Sequence, residues 1–217
     1  DRPGGFIDAD IAALLKIQSQ LALVSKMAVL KRLAGNVLTT YLGGDAGRRV
    51  MSGQIKRGDG ETIRAALVMG DMRRSTEFSE RLGRQGYIDT LDEFFDAIAK
   101  PFAMEGGQIL SFLGDGFLAV YPCERNRAES QEACRKALKA AEIATWRMAD
   151  FNRRRRQADD EEIGFGIGLH VGNVMFGNVG LQDRLTFSAF GRAVNEVTRL
   201  ESLTKKYPSS LIASEAF

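Results

Sequence analysis

Two aspartates, each at the end of an apolar run, are the residues in this chain best suited to chemistry. Asp71 closes the run Ala65-Ala66-Leu67-Val68-Met69, and Asp115 lies in the turn of Phe112-Leu113-Gly114-Asp115-Gly116-Phe117. If the two runs are neighbouring strands, both carboxylates project from one sheet edge. Paired carboxylates with open coordination positions beside them suit a hard divalent cation that must also hold phosphates. Taken singly, each aspartate has a plainer reading: Asp71 caps a helix starting at Arg73 or Arg74, and Asp115 belongs to a Gly-Asp-Gly hairpin turn. A third piece lies downstream. In Gly191-Arg192-Ala193-Val194-Asn195-Glu196-Val197-Thr198-Arg199, Asn195 and Arg199 are four apart and share one helix face. An amide and a guanidinium facing one way suit ribose and phosphate oxygens. The alternative is that Arg199 pairs with Glu196 or Glu201 on the surface.

The elements that must position these residues follow from periodicity. Residues 10–42 predict one long helix, with Leu14, Ile17, Leu21, Val24, Met27, Leu30, Val37 and Tyr41 at three- and four-residue steps and a phase shift near Met27. Such a stripe points to a parallel coiled coil joining two protomers; packing on its own domain is the alternative. Gly43-Gly44-Asp45 ends that helix, and residues 45–61 read as a connector. Then follow a strand over 62–70, helical pattern over 76–103 broken at Gly83–Gly86, a hairpin over 107–121 and a helix from Arg127 to about Asn152. Strands over 163–171, 173–179 and 185–189, a helix over 193–206 and a strand near Leu211 close the chain. Arg153–Arg156 with Asp159–Glu162 read as a solvated loop. This order predicts an α+β fold, a ferredoxin-like βαββαβ arrangement with a helix-covered, antiparallel-rich sheet.

Composition sets bounds. With 217 residues, 44% of them hydrophobic, and a net charge of +2, the chain suits one soluble domain plus an appendage and gives no electrostatic case for nucleic acid. Cys123 and Cys134 have neither metal-ligand spacing nor a disulfide framework, so a reducing cytoplasm is expected. No run of eighteen apolar residues exists, and no membrane contact is expected from this segment. The first residue is not Met and the last strand stops at Phe217, which points to a piece of a longer protein. His170 ends an apolar strand and reads as structural; Trp146, at core spacing on a helix, reads as packing.

Three ordered motifs resemble the catalytic domain of class III nucleotidyl cyclases over about residues 61–217: the Asp71 segment, Phe112-Leu113-Gly114-Asp115-Gly116-Phe117, and Gly191-x-x-Val194-Asn195-x-x-x-Arg199. Gly177-Asn178-Val179-Gly180 and the connector Val50-Met51-Ser52-Gly53-Gln54-Ile55-Lys56-Arg57-Gly58 are also similar to the family. The resemblance implies two Mg²⁺ or Mn²⁺ ions per site, held by Asp71, Asp115 and the backbone carbonyl of Met72. It further implies Asn195 on the ribose, Arg199 on the α-phosphate, both from the partner of a homodimer, and an upstream sensory domain. Residues 1–44 would be the dimerising helix, 45–61 the transducing connector and 62–217 the catalytic domain, with a triphosphate-contacting Lys expected beyond Phe217. Where family members that use ATP carry Lys, this chain has Ser111; Ser188 stands where Asp or Thr is common. Base choice is therefore open, with ATP favoured and GTP or a pyrimidine nucleotide as alternatives. Gly114, Thr76 and Arg74 complete the candidate substrate contacts. Arg74 replaces a family Gly, and it either adds bulk there or supplies positive charge to the β- and γ-phosphates. A non-catalytic cyclase-like module and a diguanylate-cyclase or polymerase-like palm are the competing readings; the Asn-x-x-x-Arg helix disfavours the palm.

Overall fold

The computed structural model describes residues 7–217, in two compact units that divide between Gly53 and Gln54. In the first unit, α1 (Asp8–Leu42) is a single helix of 35 residues, none of them buried. The Asp10 carboxylate accepts the Ile7 N–H at 3.1 Å, and acidic residues in the first turn complement the helix dipole. Gly43, at φ 83°, ends α1, and its N–H returns to the Thr39 carbonyl at 3.0 Å. The chain then re-enters a helix, α2 (Gly44–Met51), in the segment expected as connector. Asp45 holds Arg49 at 2.8 Å one turn on, which supports this short helix. A Cβ on Gly47 would lie 3.0 Å from the Thr39 backbone nitrogen, so glycine permits α2 to touch the last turns of α1. An 18-residue window of α1 has a mean hydropathy of 1.3, enough by length and composition to cross a membrane.

The second unit runs β1 (Gly60–Met72), α3 (Ser75–Ile98), α4 (Lys100–Met104), β2 (Gln108–Leu113), β3 (Gly116–Cys123), α5 (Arg127–Gln157), β4 (Phe165–Gly180), β5 (Leu185–Phe190), α6 (Arg192–Leu203) and β6 (Leu211–Ala213). The sheet order is β2-β3-β1-β4-β5 with antiparallel neighbours, and β6 adds to β4 in parallel. This is the split βαβ arrangement that the element order predicts. Alternation along β1 sends Ala66 and Val68 into a core shared with Phe94, Ile98 and Phe102. From α5 that core receives Ala137, Ala140, Ala141, Ala144, Met148 and Phe151; the small alanines let this helix lie close on the sheet. Helix α6 covers the other face.

Several elements differ from the sequence reading, each for an identifiable reason. The pattern over 76–103 bends at Gly83, whose φ of 66° and ψ of 178° are not helical, and divides at Ala99 because Pro101 cannot donate into a continuing helix. Arg153–Arg156 are not a loop: they form the last turn of α5, where cations complement the dipole. Arg154 pairs with Asp150 at 3.5 Å, and Arg155 Nε donates to the Glu161 carbonyl at 2.7 Å. The two strands expected on either side of Gly172 are one strand, β4. Trp146 is 70% exposed, on the outer side of α5 rather than in the core. Asn178, in the family-like glycine run, is buried and its side chain donates to the Gln54 carbonyl at 2.9 Å. Its backbone also bonds Gly58 and Asp59, so residues 54–59 are stapled to the far end of β4.

Candidate active site

Asp71 is the last residue but one of β1 and lies between Gly116 of β3 and Gly166 of β4. It sits in the strand and caps no helix; the residue preceding α3 is Arg74. Asp115 occupies the two-residue turn between β2 and β3, whose first residue, Gly114, has φ 68° as a tight primed hairpin turn requires. The Met72 N–H donates to the Asp115 carbonyl at 3.2 Å, which fastens this turn to the end of β1. A Cβ on Gly116 would stand 3.2 Å from Asp71 Oδ2, so glycine there leaves the carboxylate its space.

The two acids therefore share one edge, and the electrostatics register it. The Asp71 carboxyl is pushed up to about 6, first by burial, then by the negative charges of Asp115 and Glu201, against the opposing pull of Lys205 and Arg73. Removing that repulsion is what a bound cation does. Among the described residues no group of three or more His, Cys, Asp or Glu side chains is arranged as a metal cage. Two carboxylates and the Met72 carbonyl leave the remaining positions to water and phosphate oxygens, a donor set that fits Mg²⁺ or Mn²⁺ with a triphosphate.

Asn195 and Arg199 stand exposed on α6. The guanidinium of Arg199 meets Glu196 Oε1 at 3.1 Å, the surface pairing that sequence reasoning set beside a phosphate role. One protomer carries both pairs, the carboxylates at the strand edge and Asn195 and Arg199 on the exposed face of α6. Cavities of about 550 Å³ (beside His170 and Glu196) and about 750 Å³ (beside Phe95 and Phe112) lie elsewhere, with neither aspartate in their walls. His170 bonds Ser214 Oγ through Nδ1 at 2.8 Å, consistent with a structural part.

The remaining candidates are placed as follows. Ser188 is buried in β5 opposite Gly177; Ser111 is half-buried in β2 at a register shift. Thr76 is exposed in the first turn of α3, where its carbonyl accepts the Ser79 hydroxyl at 2.7 Å. Arg74 adopts φ 60°, the left-handed region, and its guanidinium pairs with Glu77 at 2.5 Å and Glu161 at 2.6 Å. Glu161 lies in the α5–β4 loop and Glu77 in the first turn of α3, so the guanidinium spans the two.

Sequence reasoning missed a second group. Arg73 Nη1 pairs with Glu201 Oε1 at 3.0 Å, the two side chains only 18% and 4% exposed, and its other terminal nitrogen bonds Thr204 Oγ1. The Tyr87 phenol is raised by burial and by the charges of Asp115 and Asp71. A signal for Glu201 existed: Ala193, Val197 and Glu201 recur every four residues and form the buried stripe of α6. A carboxylate on such a stripe demands a partner.

Residues 61–209 match the model of the adenylate and guanylate cyclase catalytic domain. The chain belongs to this family. Adenylate cyclase 1 of Rhizobium meliloti (strain 1021) is 33% identical over 148 residues, which are 67% of this chain and 22% of that protein. The chain thus spans about a fifth of that relative's length. A bacterial light-regulated adenylyl cyclase shares the fold at TM-score 0.67 and 21% identity, over 93% of this chain and 56% of that one. The guanylyl cyclase Cya2 matches at TM-score 0.57 and 26% identity, over 66% of this chain and 71% of its own. The family's fold thus carries the paired aspartates of this cyclase domain on a sheet edge and its Asn-x-x-x-Arg helix on the opposite sheet face from α5.

Proposed function

We propose that this chain is the catalytic part of an adenylate cyclase that converts ATP to 3′,5′-cyclic AMP and pyrophosphate at sites shared by two copies. The carrying observation is the full set on this fold: Asp71 near the end of β1 and Asp115 in the adjoining β2–β3 turn share one sheet edge, while Asn195 and Arg199 are exposed on α6. A second copy supplies the missing half of each site. Asp71, Asp115 and the Met72 carbonyl would hold two Mg²⁺ or Mn²⁺ ions, which when bound acidify the ribose 3′-hydroxyl and offset triphosphate charge. Asn195 orients the ribose through its amide. Arg199 exchanges Glu196 for the α-phosphate and stabilises charge there as the 3′-oxygen attacks in line and pyrophosphate leaves. Ser188 accepts from the exocyclic amine of adenine, and Ser111 lines the base without the charge a lysine would bring.

Mixing Asp71→Ala protein with Asn195→Ala protein, each inactive alone, tests the shared site. Recovered activity is expected; heterodimers without activity would refute it. Ser111 also favours a second reading, the same chemistry on GTP or a pyrimidine nucleotide. Incubation with each of the four nucleoside triphosphates and Mn²⁺ separates the two, and one cyclic product excludes a merely binding module. For α1 the coiled-coil reading is preferred over a membrane span because Lys16, Gln18, Gln20 and Lys26 interrupt its apolar stretch. Each lysine at mid-bilayer would cost about 3 kcal/mol. Deleting residues 1–42 should alter basal activity or dimer affinity, as a relay from an upstream sensor requires.

A further inference from the structure

Arg73 follows the metal-edge strand, and Glu201 and Thr204 end the helix that carries Asn195 and Arg199. The chain brings these residues together across 128 positions and then encloses them. Arg73 is fixed at both ends: its N–H donates to the Gly164 carbonyl at 2.8 Å, and its guanidinium reaches Glu201 and Thr204. Thr204 in turn donates to the Glu201 carbonyl at 2.5 Å. The neighbouring strand makes room for this group. A Cβ on Gly166, the residue opposite Asp71 in β4, would collide with Arg73, Thr204 and, at 2.7 Å, Glu201 Oε1. A buried ion pair is weak evidence for stability, since well-packed apolar residues often serve as well. Its placement is the informative feature, because it bolts the last turn of α6 to the strand end that presents Asp71.

We propose that Arg73, Glu201 and Thr204 are positioning residues that fix, inside one protomer, the carboxylate edge of one site relative to the Asn195–Arg199 face serving the other. This rests on the shared-site reading. The arrangement makes each protomer a rigid spacer between two reaction centres. A shift of about 1 Å in such a support is enough to cost on the order of 10²-fold in rate.

The test uses a dimer with a single working site. One protomer carries Asp71→Ala and supplies Asn195 and Arg199; the other carries Asn195→Ala and supplies the carboxylates. The clamp is then altered in one protomer or the other, by Glu201→Gln and, in case the stranded Arg73 charge prevents folding, by the apolar pair Arg73→Met with Glu201→Leu. In the Asp71→Ala protomer, kcat should fall at least tenfold with the Mn²⁺ midpoint unchanged. In the Asn195→Ala protomer, the Mn²⁺ midpoint should rise several-fold with a smaller loss of kcat. In metal-free protein, amides 197–203 should exchange faster in the apolar pair even where its melting temperature is preserved. A folded apolar pair with unaltered exchange, kcat and midpoint in both placements would overturn the proposal. An inactive reference dimer, before any clamp substitution, would instead overturn the shared-site reading on which it stands.

Discussion

Gly168→Ala probes most directly how closely α6 must lie on the sheet. A Cβ at this position would stand 2.5 Å from the Val197 carbonyl oxygen and 2.6 Å from the Glu201 nitrogen, both rigid backbone atoms. Ordinary contact needs about 3.5 Å, so α6 must lift by roughly 1 Å or β4 must sink by as much. Overpacking of this kind costs about 1–3 kcal/mol, or roughly 3–10 °C of melting temperature for a domain of this size. In the proposed shared site the same shift would move Asn195 and Arg199 away from the partner's carboxylates, and kcat should drop by on the order of 10²-fold. Thermal melting and steady-state cyclisation of ATP read the two effects. KM for the nucleotide should change little if these residues act mainly on the transition state. Wild-type kcat in a variant whose melting temperature has fallen would refute the claim that α6 must sit this close for catalysis.

Three further outcomes are expected. Arg199→Ala should lose roughly 10³-fold or more in kcat, yet melt within about 2 °C of wild type, since its pair with Glu196 is exposed. Arg74→Gly should relieve the left-handed backbone at φ 60° and keep the nucleotide KM within about twofold, because Glu77 and Glu161 already engage the guanidinium; a large rise in KM would place Arg74 on the phosphates after all. In metal-free protein Asp71 binds its proton more tightly when folded than unfolded, so the stability its neutral form confers is present below about pH 4 and is lost as pH rises to about 6. Wild-type protein should accordingly melt lower at pH 7.5 than at pH 5, and Asp71→Asn should shrink that difference while abolishing activity; an unchanged difference would show that the carboxyl is not disfavoured in the fold.

Much of the fold was legible because it rests on local pattern. The alternating β1 and the Gly-Asp-Gly hairpin placed Asp71 and Asp115, and the four-residue spacing placed Asn195 and Arg199 on one helix. What escaped was set by tertiary context. Arg73 and Glu201 are each ordinary surface-type residues by local pattern and become partners only across the fold. On α5, Ala137, Ala140, Ala141, Ala144, Met148 and Phe151 recur at three- and four-residue steps and take the face against the sheet, which leaves Trp146 outside. Gly172 looks like a strand break, yet it lies within an uninterrupted ladder, at the place where Ala193 approaches so closely that a side chain's Cβ would stand 2.7 Å from the alanine methyl. Arg153–Arg156 read as a solvated loop; Arg153, Arg154 and Arg156 are exposed and Arg155 half-buried, at the end of a helix whose dipole favours them.

The continuity of β4 has a mechanical consequence. At about 3.3 Å per residue, its 16 residues make a strut of roughly 50 Å, paired with β1 from Gly60–Gly177 to Met72–Phe165 without a slip in register. One end grips residues 54–59 through Asn178, and the other passes beneath the seat of α6. Two short strands hinged at Gly172 would let a tug on 54–59 dissipate before it reached the helix. An unbroken one would carry it to the seat of α6.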